Sequence, residues 1–210
     1  MREWKLEFNP KKSVYYSLNC SDKGDIVIQE KILPKSDGFI YLGLPIGNEK
    51  FIWEFLETKM RKCERAFYSL RGLGCKIGAL SPKMIAYFFK QYCQPIVRYG
   101  LENLYVTDSR LRTLNIRQNV LLKSAIGLSS MCRSKPLFHA LTIEKFAQLY
   151  YKHKVFFLKQ ILCNSISKDV YDFLYKYYIQ YSLSEAPSGS FLSQLCRWRN
   201  SLLCVLVCLI

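Results

Sequence analysis

The spacing of apolar residues changes character near Asn48. Before it, short runs of β-branched and aromatic residues at 13–18, 26–28 and 39–46 predict three strands, and Gly24 marks a turn. Gly43 and Pro45 inside the third run favour a strand that bends or ends early. From Asn48 onwards the apolar residues recur at steps of three, four or seven, which predicts helices.

Local signals place the ends of these helices. Three glycines at 72, 74 and 78 interrupt the helical pattern, and Ser81-Pro82 predicts the next start. Pro95 predicts a kink or a division of that helix. Three further helices are each expected to begin at a capping residue, and the first of these helices is expected to end near Gly127. Those residues are Asp108, Thr142 and Ser167.

Strands followed by helices, without alternation, predict an α+β fold: a small antiparallel sheet or hairpin and then a mostly helical region. We divide the chain into residues 1–47, 48–130, 131–183 and 184–210. The last segment is interpreted as a linker and a truncated apolar helix. Its apolar run at 202–210 is far shorter than the roughly 20 residues that a membrane span needs, so no membrane span is predicted, and no membrane partner is expected.

Composition narrows the class of protein. Half of the 210 residues are hydrophobic and 15% are aromatic, which is enough to build a core and excludes a disordered tail. The 31 lysines and arginines exceed the 16 acids and give a formal net charge of +15. A folded chain this basic favours a polyanionic partner. Charge alone does not choose between nucleic acid and a membrane surface.

The cysteines and the start of the chain indicate an intracellular protein, nuclear or cytoplasmic. The nine cysteines are interpreted as reduced and mostly buried, and the first residues are charged, unlike a signal peptide. Neither histidine, His139 or His153, has the spacing of a zinc ligand, so no metal site is predicted.

Three motifs in a fixed order carry a resemblance to a known family. The first is Asn9-Pro10-Lys11-Lys12-Ser13, the second is Tyr41-Leu42-Gly43, and the third comprises Tyr99-Gly100 and Ile126-Gly127-Leu128 in the helical region. Together they resemble the segment that follows the active site in non-LTR (LINE-type) retrotransposon reverse transcriptases. The resemblance covers about residues 1–160.

The resemblance implies a role for each segment. Residues 1–47 would be the end of the palm with the primer grip, 48–130 the thumb, and 131–183 the helices beyond it. Lys12 would lie near the incoming nucleotide, and Tyr41, Leu42 and Gly43 would hold the primer end. The full-length parent enzyme would carry two magnesium ions on aspartates. This sequence has no Asp-Asp pair, so no cofactor and no polymerisation are expected of the chain itself.

Two rows of basic residues in the helical region predict contact with nucleic acid. One row is Lys59, Lys62 and Arg65, and the other is Lys145, Lys152 and Lys159, which recur every seven residues. Rows of this kind neutralise phosphates without discriminating bases. The expected partner is therefore an RNA or DNA template–primer duplex, bound without sequence specificity.

Other functions stay open at this stage. The chain could be a small helical protein-interaction module, which self-associates through exposed apolar surface. It could also be the non-functional product of a pseudogene. Binding to an anionic membrane surface is the weakest alternative, because no stretch combines an apolar face with a clean lysine face.

Overall fold

The computed structural model describes residues 9, 13–17, 24–28 and 31–182. The chain divides into two compact units, Met1–Thr58 and Lys59–Ile210. The predicted α+β fold is confirmed, with small antiparallel strand pairs followed by helices. The predicted segment 184–210 lies outside the described residues. No helix within the described ranges combines the length and apolar character that a bilayer crossing requires.

The strands of the first unit form two separate antiparallel pairs. One pair joins β1 (Val27–Ile28) to β2 (Lys31–Ile32), and the other joins β3 (Gly38–Tyr41) to β4 (Leu44–Gly47). The strand predicted at 13–18 was wrong for its described part, 13–17, where a single bridge links Tyr15 to Lys35. A local hydrogen bond from the Ser13 hydroxyl to the Asn9 carbonyl, 2.9 Å long, competes there with an extended chain.

The third predicted strand is instead a tight hairpin. Leu42 and Gly43 both adopt positive φ angles, 49° and 77°, as in the type I′ turns that join antiparallel strands through two residues. Gly38 and Gly47 face each other at the open end, and a Cβ on either would meet the Phe51 ring, at 2.6 or 2.9 Å. Glycine therefore lets the first turn of the following helix pack against the hairpin.

The helices follow in this order. They are α1 (Glu49–Ser69), a 3-10 turn (Leu70–Leu73), α2 (Pro82–Phe88), a π turn (Phe89–Cys93), α3 (Gln94–Arg98), a 3-10 turn (Leu101–Asn103), α4 (Asp108–Ile126), α5 (Ser134–Ala140), α6 (Phe146–Cys163) and α7 (Ser165–Ser182).

Several predicted helix ends are confirmed. The Asn48 side chain accepts a hydrogen bond from the Phe51 amide at 2.8 Å, and Ser81 accepts one from Met84 at the start of α2. Gly127 ends α4 in the left-handed conformation. The disturbance expected at Pro95 takes the form of the π turn that separates α2 from α3.

The other predicted starts need correction. Thr107 rather than Asp108 precedes α4, and Asn164 rather than Ser167 caps α7, since its Oδ1 accepts from the Ser167 amide at 3.1 Å. Thr142 does not open a helix. It ends the unpredicted short helix α5 with a positive φ of 53°, and α6 begins only at Phe146.

Two polar side chains of α4, the buried Gln118 and the half-buried Asn115, fix the start of α6. The side-chain oxygen of Gln118 accepts from the Phe146 amide, and its nitrogen donates to the Glu144 carbonyl, each at 3.1 Å. Asn115 accepts from the Ala147 amide at 3.1 Å. Amides at a helix start have no partner within the helix, so side chains of α4 supply the hydrogen-bond acceptors that the first amides of α6 lack.

Aromatic side chains form the centre of the second unit. Phe67 and Phe89 meet edge to face with ring centroids 5.7 Å apart, and both are buried. The buried Tyr150 hydroxyl donates to the Leu104 carbonyl at 3.2 Å and accepts from the Val106 amide at 3.3 Å. Helix α6 is thereby tied to the segment that leads into α4.

The free cysteines among the described residues divide into two groups. Cys63, Cys75 and Cys93 are buried, and burial raises the pKa of each thiol, that of Cys93 to about 12. Such thiols are inert, in agreement with the prediction of reduced, buried cysteines. Cys132 and Cys163 are exposed, contrary to it, because they lie in the loop after α4 and at the end of α6.

Candidate nucleic-acid interface

The tip of the β3–β4 hairpin carries the motif that resembles a primer grip. Tyr41 and Leu42 are 60% and 75% exposed, and Gly43 is exposed beside them. Leucine is rarely found at a positive φ, so Leu42 holds its apolar side chain outward in a strained conformation. The tip therefore offers an apolar surface and a glycine backbone to a ligand. Lys12, the residue expected near the nucleotide, lies outside the described residues.

The three cations of the first predicted row, on α1, differ in how accessible they are to a ligand. The Lys59 ammonium donates to the Tyr99 carbonyl at 2.7 Å and lies 4.8 Å from the centroid of the Tyr99 ring. Burial lowers its pKa, nearby Glu102 opposes that change, and Lys62 adds to it. Lys62 and Arg65 are exposed. Lys59 thus fastens α1 to the segment after α3, whereas Lys62 and Arg65 face solvent.

The second predicted row runs along α6, and its three lysines also differ in accessibility. Lys145 precedes the helix and places its ammonium 5.6 Å from the Phe138 ring centroid. Lys152 donates to the Glu144 carboxylate at 2.7 Å, and Lys159 is exposed near the end of the helix. Lys145 and Lys152 therefore have neighbours in the fold, and Lys159 is the most accessible cation of this row.

Some of the positive charge serves the fold itself. Arg117 on α4 makes two hydrogen bonds, 2.8 and 2.7 Å long, to the two carboxylate oxygens of Glu64 on α1. The Lys123 ammonium is buried and donates to the carbonyls of Ser130 and Cys132, which holds the loop after α4 against the helix. Arg117 and Lys123 are therefore not among the cations that the chain presents to a partner.

Lys154 is a buried lysine that belongs to neither predicted row of cations. The residue is 2% exposed, and its ammonium lies 5.1 Å from the Tyr150 ring centroid. Burial lowers its pKa to about 8, and Glu102 opposes the change. Its position was visible in the sequence, since it falls four residues from both Tyr150 and Leu158 on the buried stripe of α6.

Basic residues outnumber the acids of the second unit, and at least half of those acids have partners within the fold. Between residues 59 and 182 the sequence has 21 lysines and arginines against six acids. Three of those acids have partners within the fold: Glu64 with Arg117, Glu144 with Lys152, and Asp108 with the Tyr151 hydroxyl at 2.6 Å. Burial and the Asp108 contact raise the pKa of Tyr151 to about 12, so that hydroxyl stays a donor. The exposed cations are left with little opposing charge.

Within the described ranges, no three His, Cys, Asp or Glu side chains converge in a way that would hold a metal ion. The Asp108 carboxylate accepts a hydrogen bond from the Tyr151 hydroxyl. The expectation of two magnesium ions concerns the full-length parent enzyme and stays a prediction.

Comparison of the chain with protein-family models, with curated proteins and with solved structures finds no match. The resemblance to reverse transcriptases therefore rests on the sequence motifs alone. The physical properties of the exposed surface are the independent guide to what the chain binds.

Proposed function

We propose that the chain corresponds to the part of a non-LTR retrotransposon RNA-directed DNA polymerase that follows the catalytic carboxylates. In this proposal it binds an RNA or DNA template–primer duplex without sequence preference and does not itself polymerise. The observation that carries the proposal is the excess of basic residues in the second unit, 21 lysines and arginines against six acids between residues 59 and 182, with Lys62, Arg65 and Lys159 among the exposed cations. The phosphate backbone of a nucleic acid is the natural ligand of such a surface.

The duplex-binding surface in this proposal is the exposed side of α1 together with the end of α6. Lys62, Arg65 and Lys159 are its main phosphate contacts, because all three are exposed. Lys59 has a supporting role, since its ammonium is bonded to the Tyr99 carbonyl. Contacts from these side chains to phosphates carry no sequence information, so the proposed binding is insensitive to sequence.

The test is a titration of a fluorescent RNA–DNA hybrid at several salt concentrations. Three to five phosphate contacts give a log-log salt slope of about −3 to −5. The double variant Lys62→Gln/Arg65→Gln should flatten the slope by roughly 0.9 for each phosphate that it no longer neutralises. The control Lys31→Gln/Lys35→Gln removes the same charge from exposed residues of the first unit and should leave the slope unchanged. Undetectable or salt-independent binding would refute the proposal.

Exposed apolar residues favour a second candidate, an interaction module that self-associates. Ile166, Val170 and Phe173 are 55–76% exposed and recur at helical spacing on α7, which gives the helix an uncovered apolar stripe. This candidate predicts a defined oligomer and little salt-sensitive affinity for nucleic acid. Sedimentation of the wild-type chain and of Val170→Asp/Phe173→Asp, with the hybrid titration beside it, separates the two candidates.

A further inference from the structure

A groove runs between α2 with its π turn and the turn that links α5 to α6. Its volume is about 400 Å³. Lys83, Tyr87, Lys90 and Gln91 line one side, and Leu141 and Thr142 line the other. We call it the lysine groove. Both lysines and Tyr87 are exposed, whereas Ala86 and Leu141 provide a buried apolar floor.

A second cavity of about 590 Å³ adjoins the lysine groove, because Thr142 lines both. It adds two cations, Lys135 and Lys145. Glu144 is the one acid lining either cavity in the described part of the chain, and its carboxylate accepts a hydrogen bond from Lys152 at 2.7 Å. Positive charge therefore continues from the lysine groove past Thr142 into the second cavity.

Thr142, the residue common to both cavities, is held in a strained conformation. It occupies the position after α5 where glycine is preferred, and its φ is 53°. Its amide donates to the His139 carbonyl and the next amide, of Ile143, donates to the Phe138 carbonyl, both at 3.1 Å. These bonds fix the turn and hold the threonine side chain as the shared wall. Strain of this kind in a β-branched residue is frequent at binding sites.

We propose that the lysine groove and the adjoining cavity bind a single-stranded segment of nucleic acid. Phosphates lie against Lys83 and Lys90, a nucleotide rests on the apolar floor beside the exposed Tyr87 ring, and the strand continues towards Lys135 and Lys145. Cations interleaved with an aromatic face are the usual platform for a single strand. A cavity of this size suits a small ligand such as one nucleotide, and a duplex is too broad to enter it.

This inference rests on the proposed function and adds a site for unpaired template to one for duplex. The test uses the full chain with two probes, a short fluorescein-labelled oligouridine and the RNA–DNA hybrid. Lys83→Gln/Lys90→Gln should weaken oligouridine binding about tenfold at low salt and flatten its salt slope by about 1.4, the value for two phosphates of a single strand. Its affinity for the hybrid should change less than about twofold.

Two further variants sharpen the test. Tyr87→Leu keeps the charge but removes the stacking surface, and should weaken oligouridine binding roughly fivefold. Lys62→Gln/Arg65→Gln removes two exposed positive charges from α1 and should instead weaken binding of the hybrid. Acetylation of lysines, followed by mass spectrometry, should show Lys83 and Lys90 protected by oligouridine and not by the hybrid.

The outcomes distinguish failure of the groove from failure of the proposed function. Wild-type binding of the hybrid with unchanged oligouridine affinity in the groove variants would overturn the groove and leave the proposed function standing. Equal weakening of both probes by both double variants would reduce the effect to overall charge and would also overturn the groove. A wild-type chain that binds neither probe would overturn the proposed function, and the groove with it.

Discussion

At the scale of single residues, Lys154 gives the chain a measurable dependence of stability on pH. Its pKa is about 8 in the folded chain and has the ordinary value of 10.5 when unfolded. Between those values the unfolded chain binds more protons at this residue, so the contribution of Lys154 to stability rises with pH through that window. Lys154→Met abolishes this dependence. The variant should be more stable at neutral pH, by roughly 1–3 kcal/mol, and the difference should shrink as pH approaches 10.5.

Urea unfolding of both proteins at neutral pH and near the top of that window checks this expectation. Lys159→Met is the matched control, because Lys159 is exposed on the same helix. Its stability should stay within about 0.5 kcal/mol of wild type at both pH values. A stability difference between wild type and Lys154→Met that does not change with pH would contradict the burial argument.

Leu42 is a second residue whose substitution should separate stability from binding. Asparagine tolerates the positive φ of this turn better than leucine does, and Leu42 is too exposed to contribute to a core. Leu42→Asn should therefore stabilise the β3–β4 hairpin by about 1 kcal/mol. If the tip holds a primer end, as the resemblance to reverse transcriptases implies, the same variant should bind the hybrid more weakly. Hydrogen exchange of the hairpin amides and a hybrid titration measure the two effects. Lower hairpin protection would contradict the first.

At the scale of elements, Gln118 joins α4 to the start of α6. Gln118→Leu keeps the volume of the side chain but leaves the Phe146 amide and the Glu144 carbonyl without their bonds to it. Loss of a buried partner costs roughly 2 kcal/mol. The control Gln160→Leu changes an exposed glutamine on α6 and should shift stability by less than about 0.5 kcal/mol. Equal urea midpoints for the two variants would show that the contact does not stabilise the fold.

The elements that the sequence predicted well are those marked by local chemistry. Asn48, Ser81-Pro82 and Gly127 determine helix ends through their own side chains or backbone, so each end could be predicted without knowing the fold. The start of α6 could not, because its caps come from α4, about 30 residues earlier in the chain. The apolar pattern at 39–46 predicted one bending strand where the structure has the β3–β4 pair, because Leu42 is an unfavourable residue for the turn that it occupies.

The residues of the candidate site also divide into those that local sequence predicts and those that depend on contacts between distant segments. Helical spacing placed Lys62, Arg65 and Lys159 on exposed surface, as the structure has them. Spacing could not show that Lys59 bonds to Tyr99, because those residues are 40 positions apart. The lysine groove also depends on distant segments, α2 and the turn after α5, and no single stretch of sequence contains it.

At the scale of the whole molecule, we expect the purified chain to show no polymerase activity on a primed template with magnesium or manganese. Two-metal phosphoryl transfer needs carboxylates placed together. The aspartates of this sequence contain no adjacent pair and are Asp22, Asp25, Asp37, Asp108, Asp169 and Asp172. Incorporation of labelled nucleotide, compared with a heat-inactivated sample, is the measurement. Template-dependent, metal-dependent incorporation above that control would contradict the expectation.

The glutamine and asparagine caps on α6 also set the order in which its backbone opens. The first amides of a helix ordinarily exchange with solvent quickly, because fraying frees them. Here the amides of Phe146 and Ala147 are bound by side chains that belong to α4. They can exchange only after α4 and α6 have come apart, and fraying of α6 alone does not release them. Hydrogen exchange at the beginning of α6 therefore reports the separation of α4 from α6, whereas exchange at the far end of α6 reports local fraying.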